Sequence, residues 1–377
     1  KVLSIKESMS IARTAKATVI ANVLADLDEV INGNYLPTSY DADNKGRITR
    51  WAAMAIKAKI YLFEGNWTQV KNITSTIMTE GGFKLFGSYA GLFEIANEYN
   101  SEVILDAQYR PTSREHQMMY VFLPPTLGGY SQLSPLQELV DSYIMLDGKT
   151  IKETGTSFDE SHPYANRDPR LKATVMYTGN SYTLADGTEV VINCEKGEGK
   201  DGYGVGSDCS APGYYIKKYW DNTYRATLYS GLNPILIRYA DILLMNAEAL
   251  AELGELDKTA WDATIKPIRD RAGFTLASAL EFPEGASKDK LIEIVRNERR
   301  SELALEGHRH KDIIRWRIAD NVLNGWCHGL KTNDVVGTDD GYVRVENRTF
   351  NANKHYLWPI PQAERDLNAN LVQNPNW

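Results

Sequence analysis

Cysteine is scarce in this chain of 377 residues, which contains only Cys194, Cys209 and Cys327. Three cysteines are too few for a disulfide scaffold, and none lies at a CxxC or Cys/His spacing suited to structural zinc. Cys194 and Cys209 bracket a glycine-rich segment, CEKGEGKDGYGVGSDC. The sequence is compatible with a disulfide between them and equally with two separate free thiols. We therefore predict no metal site and no cofactor.

Basic charge and long apolar runs are also lacking. The 42 Lys and Arg residues stand against 49 Asp and Glu, for a formal net charge of −7. A nucleic-acid binder needs a clustered excess of Lys and Arg, so this class is excluded. The most apolar stretch, 234–253, is interrupted by Arg238 and Asp241, and no segment reaches the roughly 20 apolar residues that span a bilayer.

Apolar residues recur at helical spacing in several segments. Residues 17–31 form one such run, and Arg50–Glu64 form a second that is followed by Gly65-Asn66 and a returning run at 67–79. The same pattern recurs at 234–253, Gly254-Glu255 and 256–272. A glycine turn between two amphipathic helices is typical of tetratricopeptide-type hairpins. The sequence thus predicts a mainly α fold built from such hairpins.

The segment between the two hairpins loses the helical period. Short β-like runs are separated there by Gly, Pro, Asn and Ser clusters, at 102–109, 173–177, 189–194 and 214–219. We predict a large loop-rich insertion with small β elements. The chain then divides into a helical hairpin region (1–100), the insertion (101–233), a second hairpin with a charged helix (234–325) and an irregular C-terminal segment packed on the body (326–377).

A row of carboxylates is the strongest candidate for catalysis. Glu298, Glu302 and Glu306 are spaced four apart in NERRSELALEG, so on one helix neighbouring side chains lie roughly 6 Å apart. Two carboxylates at such a short distance from each other could serve glycoside hydrolysis. Pairing with nearby guanidinium groups is the better explanation, and no catalytic residue is predicted; the arginines concerned are Arg296, Arg299, Arg300, Arg309 and Arg315.

Tyrosine is abundant, with 21 residues against nine phenylalanines, and many lie in the insertion. The phenolic hydroxyl prefers one wet end. Single tyrosines are explained by half-buried packing, but a small core cannot absorb so many hydroxyls, so we also expect an exposed platform on which sugar rings stack. The candidate ligand-binding residues are Tyr109, Tyr120, Tyr130, Tyr203, Trp220 and Tyr224.

Seven motifs together resemble one family, the SusD/RagB family of outer-membrane nutrient-binding lipoproteins. They occur in order over essentially the whole chain: GRITRWAAMAIKAKIYLFEGNW, SPLQELVDSYIMLDGK, RDPRL, GYYIKKY, IRYADILLMNAEALAELG, VRNERRSELALEGHRHKDIIRW, and YLWPIPQAE with the terminal QNPNW. The resemblance implies an α-rich body of tetratricopeptide-like hairpins with an irregular, loop-rich region. The hydrophobic periodicity predicts the same architecture.

The function that this resemblance implies is non-enzymatic glycan binding at the cell surface of a Bacteroidetes-type bacterium. The protein would deliver oligosaccharide to a SusC-like TonB-dependent transporter during polysaccharide utilization. The resemblance also implies a signal peptide, a lipid-anchored cysteine and a first helical segment, and none of these is present in this sequence. Alternatives are peptide binding, as in RagB-like members, and, less favoured, a glycoside hydrolase using Glu298 and Glu302. The family's ligand residues form no fixed motif, so none is transferred by position.

Overall fold

Helices dominate the regular structure of the computed structural model, which describes residues 2–223 and 227–377. They are α1 (Ile5–Ser8), α2 (Lys16–Asn32), α3 (Arg50–Glu64), α4 (Trp67–Glu80), α5 (Met118–Phe122), α6 (Gln137–Ser142), α7 (Pro169–Thr174), α8 (Tyr239–Leu253), α9 (Lys258–Ala263), α10 (Ile265–Ala272), α11 (Ala277–Leu280), α12 (Lys288–Glu302), α13 (Arg309–Arg315), α14 (Ala319–Val322) and α15 (Gln362–Leu367). The predicted mainly α fold is confirmed.

Strands are short, and those in the described residues form four small antiparallel sheets, β1–β6, β2–β5, β3–β4 and β7–β9–β8. They are β1 (Val103–Asp106), β2 (Val175–Met176), β3 (Ser181–Thr183), β4 (Glu189–Val191), β5 (Tyr215–Ile216), β6 (Ile235–Arg238), β7 (Gly325–Lys331), β8 (Thr338–Asp339) and β9 (Tyr342–Arg348). The four predicted β-like runs of the insertion are thus confirmed in shortened form.

The helical hairpins follow from local capping chemistry. The Thr49 side chain accepts a hydrogen bond from the backbone N–H of Ala52 and begins α3, which ends at Gly65 with φ of +70°. Asn66 caps α4 in the same way. A left-handed residue with no Cβ is what a helix terminus of this kind requires. Helix α8 likewise ends at Gly254 with φ of +74°, so the repeated pattern in the sequence reflects a repeated turn.

The second hairpin differs from the prediction at two points. Residues 235–238 form strand β6, paired with β1, and the helix begins only at Tyr239. Pro234 and two β-branched isoleucines favour the extended start. The returning helix breaks between α9 and α10 at Thr264, because Pro267 has no N–H to donate to the carbonyl of Ala263.

The expectation of an irregular segment from 326 onward is wrong for its first part. Strands β7 and β9, each seven residues long, pair with each other, and β8 adds to β9. Cys327 and Val343 are buried in this sheet. The signal was weak in the sequence because glycines interrupt β7 and charged residues occupy the exposed side of β9.

The two largest hydrophobic cores among the described residues are a helical core and an insertion core. The helical core packs α3 against α4 and α8 through small residues such as Ala58 and Ala249. The insertion core contains more tyrosine than we expected from its size: Tyr182, Tyr214 and Tyr215 are buried. Their hydroxyls donate to the carbonyl of Ile216 at 2.7 Å, to the side chain of Gln137 at 2.5 Å and to the carbonyl of Asp201 at 2.5 Å, respectively. Paired hydroxyls remove the cost of burial.

A buried ion network joins the two cores. Glu302 is fully buried and accepts from Arg170 at 2.8 Å, from Arg238 at 2.6 Å and from Arg271. Within the described residues we count five cations and five anions in this network: Arg170, Lys218, Arg238, Arg269 and Arg271 with Glu102, Asp168, Glu298, Glu302 and Glu306. The charges balance, so neither sign is left uncompensated.

The predicted row of glutamates is only partly helical. Helix α12 ends at Glu302, and Leu305 adopts φ of +63°, so Glu306 reaches the network from a turn. Burial alone would raise the pKa of both carboxyls. The surrounding guanidinium groups instead lower the pKa of Glu302 far below its usual range, and Arg238 with Lys218 lowers that of Glu306 to about 2. The structural explanation of the row is thus supported.

The arginines named from the sequence are not the partners of these carboxylates. Arg299 pairs with Asp241 at 2.6 Å and with Asp312 at 2.9 Å. Arg315 pairs with Glu248, and Arg296 pairs with Glu252. Arg300 donates to the carbonyl oxygen of Glu138. The true partners are distant in sequence because the fold, and not helical spacing, brings them together.

We predict that Glu302→Ala lowers the free energy of unfolding by about 3 to 5 kcal/mol, because it leaves three guanidinium groups buried without their shared carboxylate. The measurement is urea unfolding at pH 7. Glu293→Ala is the matched control on the same helix, since Glu293 is exposed and, among the residues that the structure describes, pairs with Lys290 alone. Equal, small effects of the two substitutions would contradict the role assigned to the network.

His308 lies beside the network at the start of α13. Burial lowers the pKa of its imidazole to about 4, although Asp241 opposes this shift. Arg299 and Lys59 add to the lowering, and Arg299 donates to Nδ1 of the ring at 3.3 Å. The folded state therefore holds this imidazole neutral, as the acceptor of a guanidinium N–H.

Stability should consequently fall as the pH drops. The folded pKa lies below the ordinary value of 6.5, so the contribution of His308 is complete above pH 6.5 and is lost as the pH falls toward 4. We expect His308→Gln, which keeps an acceptor, to flatten the decline of unfolding free energy between pH 7 and 4.5 by on the order of 2 kcal/mol. His162→Gln, at an exposed site, serves as control. An unchanged slope in His308→Gln would refute the assignment.

Candidate functional site

A tight turn after α5 shapes the surface of the insertion. Gly128 adopts φ of +85°, and a Cβ on Gly129 would lie 2.1 Å from the carbonyl oxygen of Leu123. Only glycine fits at both positions. The N–H of Leu133 then donates to the carbonyl of Val121 at 3.0 Å. The chain therefore doubles back along α5.

This return stacks Tyr130 on Tyr120. The N–H of Tyr130 donates to the carbonyl of Tyr120 at 3.0 Å, and the ring centroids lie 4.3 Å apart with a tilt of 33°. Interaction between the two hydroxyls raises the pKa of Tyr120. Tyr130 is 40% exposed, so its ring is presented to solvent.

A second segment approaches the same surface. His116 and Ser230 exchange backbone hydrogen bonds at 2.9 Å, which places Tyr229 beside Gln117. The amide of Gln117 donates to the Tyr229 hydroxyl at 2.5 Å, and Tyr229 is 41% exposed. Tyr229 and Asp208 are both close enough to Tyr120 to raise its pKa. We call this group the tyrosine platform: Gln117, Tyr120, Tyr130, Asp208 and Tyr229.

The platform combines aromatic faces with polar groups at its edge. Aromatic rings bind the apolar CH faces of a flat ligand, and each ring contact is worth on the order of 1 kcal/mol. The amide of Gln117, the carboxylate of Asp208 and the phenolic hydroxyls can exchange hydrogen bonds with a hydroxylated ligand. Such an arrangement is suited to ligand binding, and within the described residues it holds no nucleophile paired with a base.

The predicted ligand residues are distributed unevenly. Tyr120 and Tyr130 lie together in the platform. Tyr109 contacts the His116 ring edge-on, with centroids 4.8 Å apart, and lies under the guanidinium of Arg114. His116 precedes Gln117 in the chain, so Tyr109 borders the platform.

Tyr203 and Trp220 lie elsewhere, half-buried against the insertion core. The indole N–H of Trp220 donates to the carbonyl of Thr183 at 2.9 Å, and the ring meets Tyr182 edge-on at 5.2 Å. Tyr224 lies outside the described residues. Tyr229 was not among the predicted residues, because only the long-range pairing of His116 with Ser230 brings it to the surface of α5.

Across 2–223 and 227–377 no helix has both the length and the apolar character needed to cross a bilayer. In the same part of the chain no group of three or more His, Cys, Asp or Glu side chains is arranged to hold a metal ion. All three cysteines are free thiols, and Cys194 is buried in the insertion core, which raises its pKa to about 12.

Known proteins resemble this chain in sequence and fold. A SusD-like protein of Formosa agariphila, P25, is 28% identical over 396 residues, which cover 99% of this chain and 66% of that protein. The crystal structure of a SusD-like carbohydrate-binding protein from Bacteroides fragilis superposes with a TM-score of 0.85 at 29% identity, covering 98% of this chain and 74% of that one. A laminarin-binding SusD-like protein shares the fold, with a TM-score of 0.64 at 23% identity, over 100% of this chain and 72% of that one.

The chain therefore spans about two thirds to three quarters of the length of these relatives. The sequence model of the SusD family matches residues 92–377, which include the insertion, the second hairpin and the C-terminal sheet. The resemblance found in the motifs is thus confirmed over most of the chain: the protein belongs to the SusD family.

Proposed function

We propose that this protein binds glycan through the tyrosine platform. The observation that carries the proposal is the ring pair of Tyr120 and Tyr130, in which the Tyr130 ring is exposed, flanked by Tyr229 and by hydrogen-bonding groups. The carbohydrate-binding relative from Bacteroides fragilis, at 29% identity and a TM-score of 0.85, supports the same ligand class.

The shape of the platform suggests how glycan is held. Pyranose rings present axial CH groups on one face, and these pack on a phenol ring while equatorial hydroxyls reach the side chains around it. Each ring contributes on the order of 1 kcal/mol, so affinity is modest and is shared among two or three rings. A repeating polysaccharide suits such a site because many copies of the same sugar are available to it.

Glycan bound in this way would be passed to a SusC-like TonB-dependent transporter. Relatives from Formosa and Bacteroides support a place at the outer-membrane cell surface of a bacterium of this group, where the complete protein would be a lipoprotein. Capture at the platform followed by transfer to a transporter needs no chemical step. We therefore propose a binding protein and not an enzyme.

Glycoside hydrolysis by Glu298 and Glu302 is the less favoured hypothesis. Both side chains are buried, and guanidinium groups of Arg170, Arg238 and Arg269 occupy their oxygens. A general acid needs a raised pKa, whereas the pKa of both carboxyls is lowered. Peptide binding finds no comparable support on the platform, whose rings are better suited to sugar faces than to a backbone that must form hydrogen bonds.

We predict that Tyr130→Ala weakens retention in affinity gels that contain a neutral polysaccharide, because it removes the exposed ring of the pair. A panel that includes laminarin, xylan and mannan would identify a retained glycan. The dissociation constant for that glycan should rise about fivefold or more.

Tyr35→Ala is the matched control, since Tyr35 is an exposed tyrosine on the helical side of the molecule. Its retention should equal that of the wild type, and melting curves should show both variants folded. If a glycan retained by the wild type is retained equally by Tyr130→Ala and Tyr120→Ala, the platform is not the binding site.

A further inference from the structure

A cavity that is separate from the tyrosine platform runs along α12. Its volume is about 540 Å³. Helix α12 lines it with residues at helical spacing, from Asp289 and Glu293 near the start to Asn297 and Arg300 near the end. Arg309 of α13 closes the end next to Arg300.

The cavity is electrically asymmetric. Asp289 and Arg300 are eleven residues apart, which corresponds to about 16 Å along a helix. Glu293 at the acidic end pairs with Lys290. Arg296 in the middle is neutralised by Glu252 at 2.9 Å. The positive charge that forms no ion pair within the described residues therefore lies at the far end.

Arg300 and Arg309 supply that charge. Arg300 donates to the carbonyl oxygen of Glu138 and, among the described residues, forms no ion pair with a carboxylate. Arg309 forms neither a hydrogen bond nor an ion pair with the part of the chain that the structure describes, and its guanidinium lies 5.9 Å from the ring centroid of Trp316. Burial, and then repulsion by Arg309, lower the pKa of Arg300 to about 10.

These two arginines contrast with those of the ion network. Arg170 and Arg238 each contact two or more carboxylates. Arg300 and Arg309 are neighbouring positive charges at the wall of an open cavity. Most of their N–H groups have no hydrogen-bond partner among the described residues. Guanidinium groups present a planar fork that matches the two oxygens of a carboxylate or sulfate.

We propose that the basic end of this cavity binds an oxyanion, and that the ligand is an acidic sugar bearing a carboxylate or sulfate group. Arg300 and Arg309 hold the anion, while Asn297 and the acidic end face the hydroxyls of the same ligand. The proposal of an oxyanion site depends only on the charges of Arg300 and Arg309. The assignment to a sugar rests on the proposed function.

The test is calorimetric titration at low ionic strength with sodium sulfate, sodium glucuronate and glucose. Sulfate tests the oxyanion site alone, and glucuronate against glucose tests the sugar class. We expect both anions to bind and glucose not to bind here. R309Q should weaken both anions about tenfold, the effect of removing a charge-assisted hydrogen bond.

Arg348→Gln is the control for the loss of one positive charge, because Arg348 pairs with Glu346 on the C-terminal sheet. It should leave the binding of sulfate and glucuronate unchanged. Absence of sulfate and glucuronate binding to the wild type, or equal binding by R309Q, would overturn the proposal. Sulfate binding without glucuronate binding would overturn the sugar class.

A second measurement covers the case in which R309Q does not fold. Phenylglyoxal modifies accessible guanidinium groups, and peptide mapping of the wild type identifies the modified arginines. Sulfate and glucuronate should protect Arg309 from modification and leave Arg348 unprotected. Equal modification of Arg309 with and without these anions would refute the site.

Discussion

The buried carboxylate of Glu302 is the interaction on which the arrangement of the two cores depends. It accepts hydrogen bonds from arginines of three separate segments, α7, β6 and α10. Each of these charges would be costly to bury alone, and together they cancel. The two cores therefore cannot separate without exposing or orphaning a set of buried ions. Their relative position is fixed by polar contacts as much as by apolar packing.

The network also sets the position of the insertion. Lys218, which precedes the left-handed Tyr219, donates to Glu306 at 2.7 Å and to the carbonyl of Ala304 at 2.8 Å. Arg170 anchors α7 from the other side. The insertion core packs above these anchors and includes Met119 and Phe122 of α5, the helix that carries Tyr120. The platform is thus held on a packed base, which would limit the entropy lost on binding the proposed sugar ligand.

Local features of the sequence were sufficient to predict the first helical hairpin. Helical periodicity and Gly65 gave α3 with its observed bounds, and α4 within one residue. Strand β6 was missed because its four residues continue the apolar run of α8, and only pairing with β1 reveals them. The sheet at 325–348 was missed because glycines interrupt β7 and charged residues occupy the exposed side of β9.

Long-range contacts explain what could not be predicted at the site. The arginines that pair with Glu302 lie up to 132 residues away in sequence, so helical spacing suggested nearer but incorrect partners. Tyr229 reaches the platform because the next residue, Ser230, forms a backbone bridge with His116. Tyr120 and Tyr130 were grouped as candidates because their segment shows no helical period in the sequence, and their ring contact depends on the glycine turn between them.

We propose that glycan binds on the insertion, at the tyrosine pair. The most direct measurement is a crystal structure of the chain with an oligosaccharide of whichever polysaccharide it retains. We predict a sugar ring packed on the exposed face of Tyr130, with the sugar hydroxyls within hydrogen-bond distance of Gln117 or Asp208. An oligosaccharide bound on the helical hairpins, with the platform empty, would contradict it.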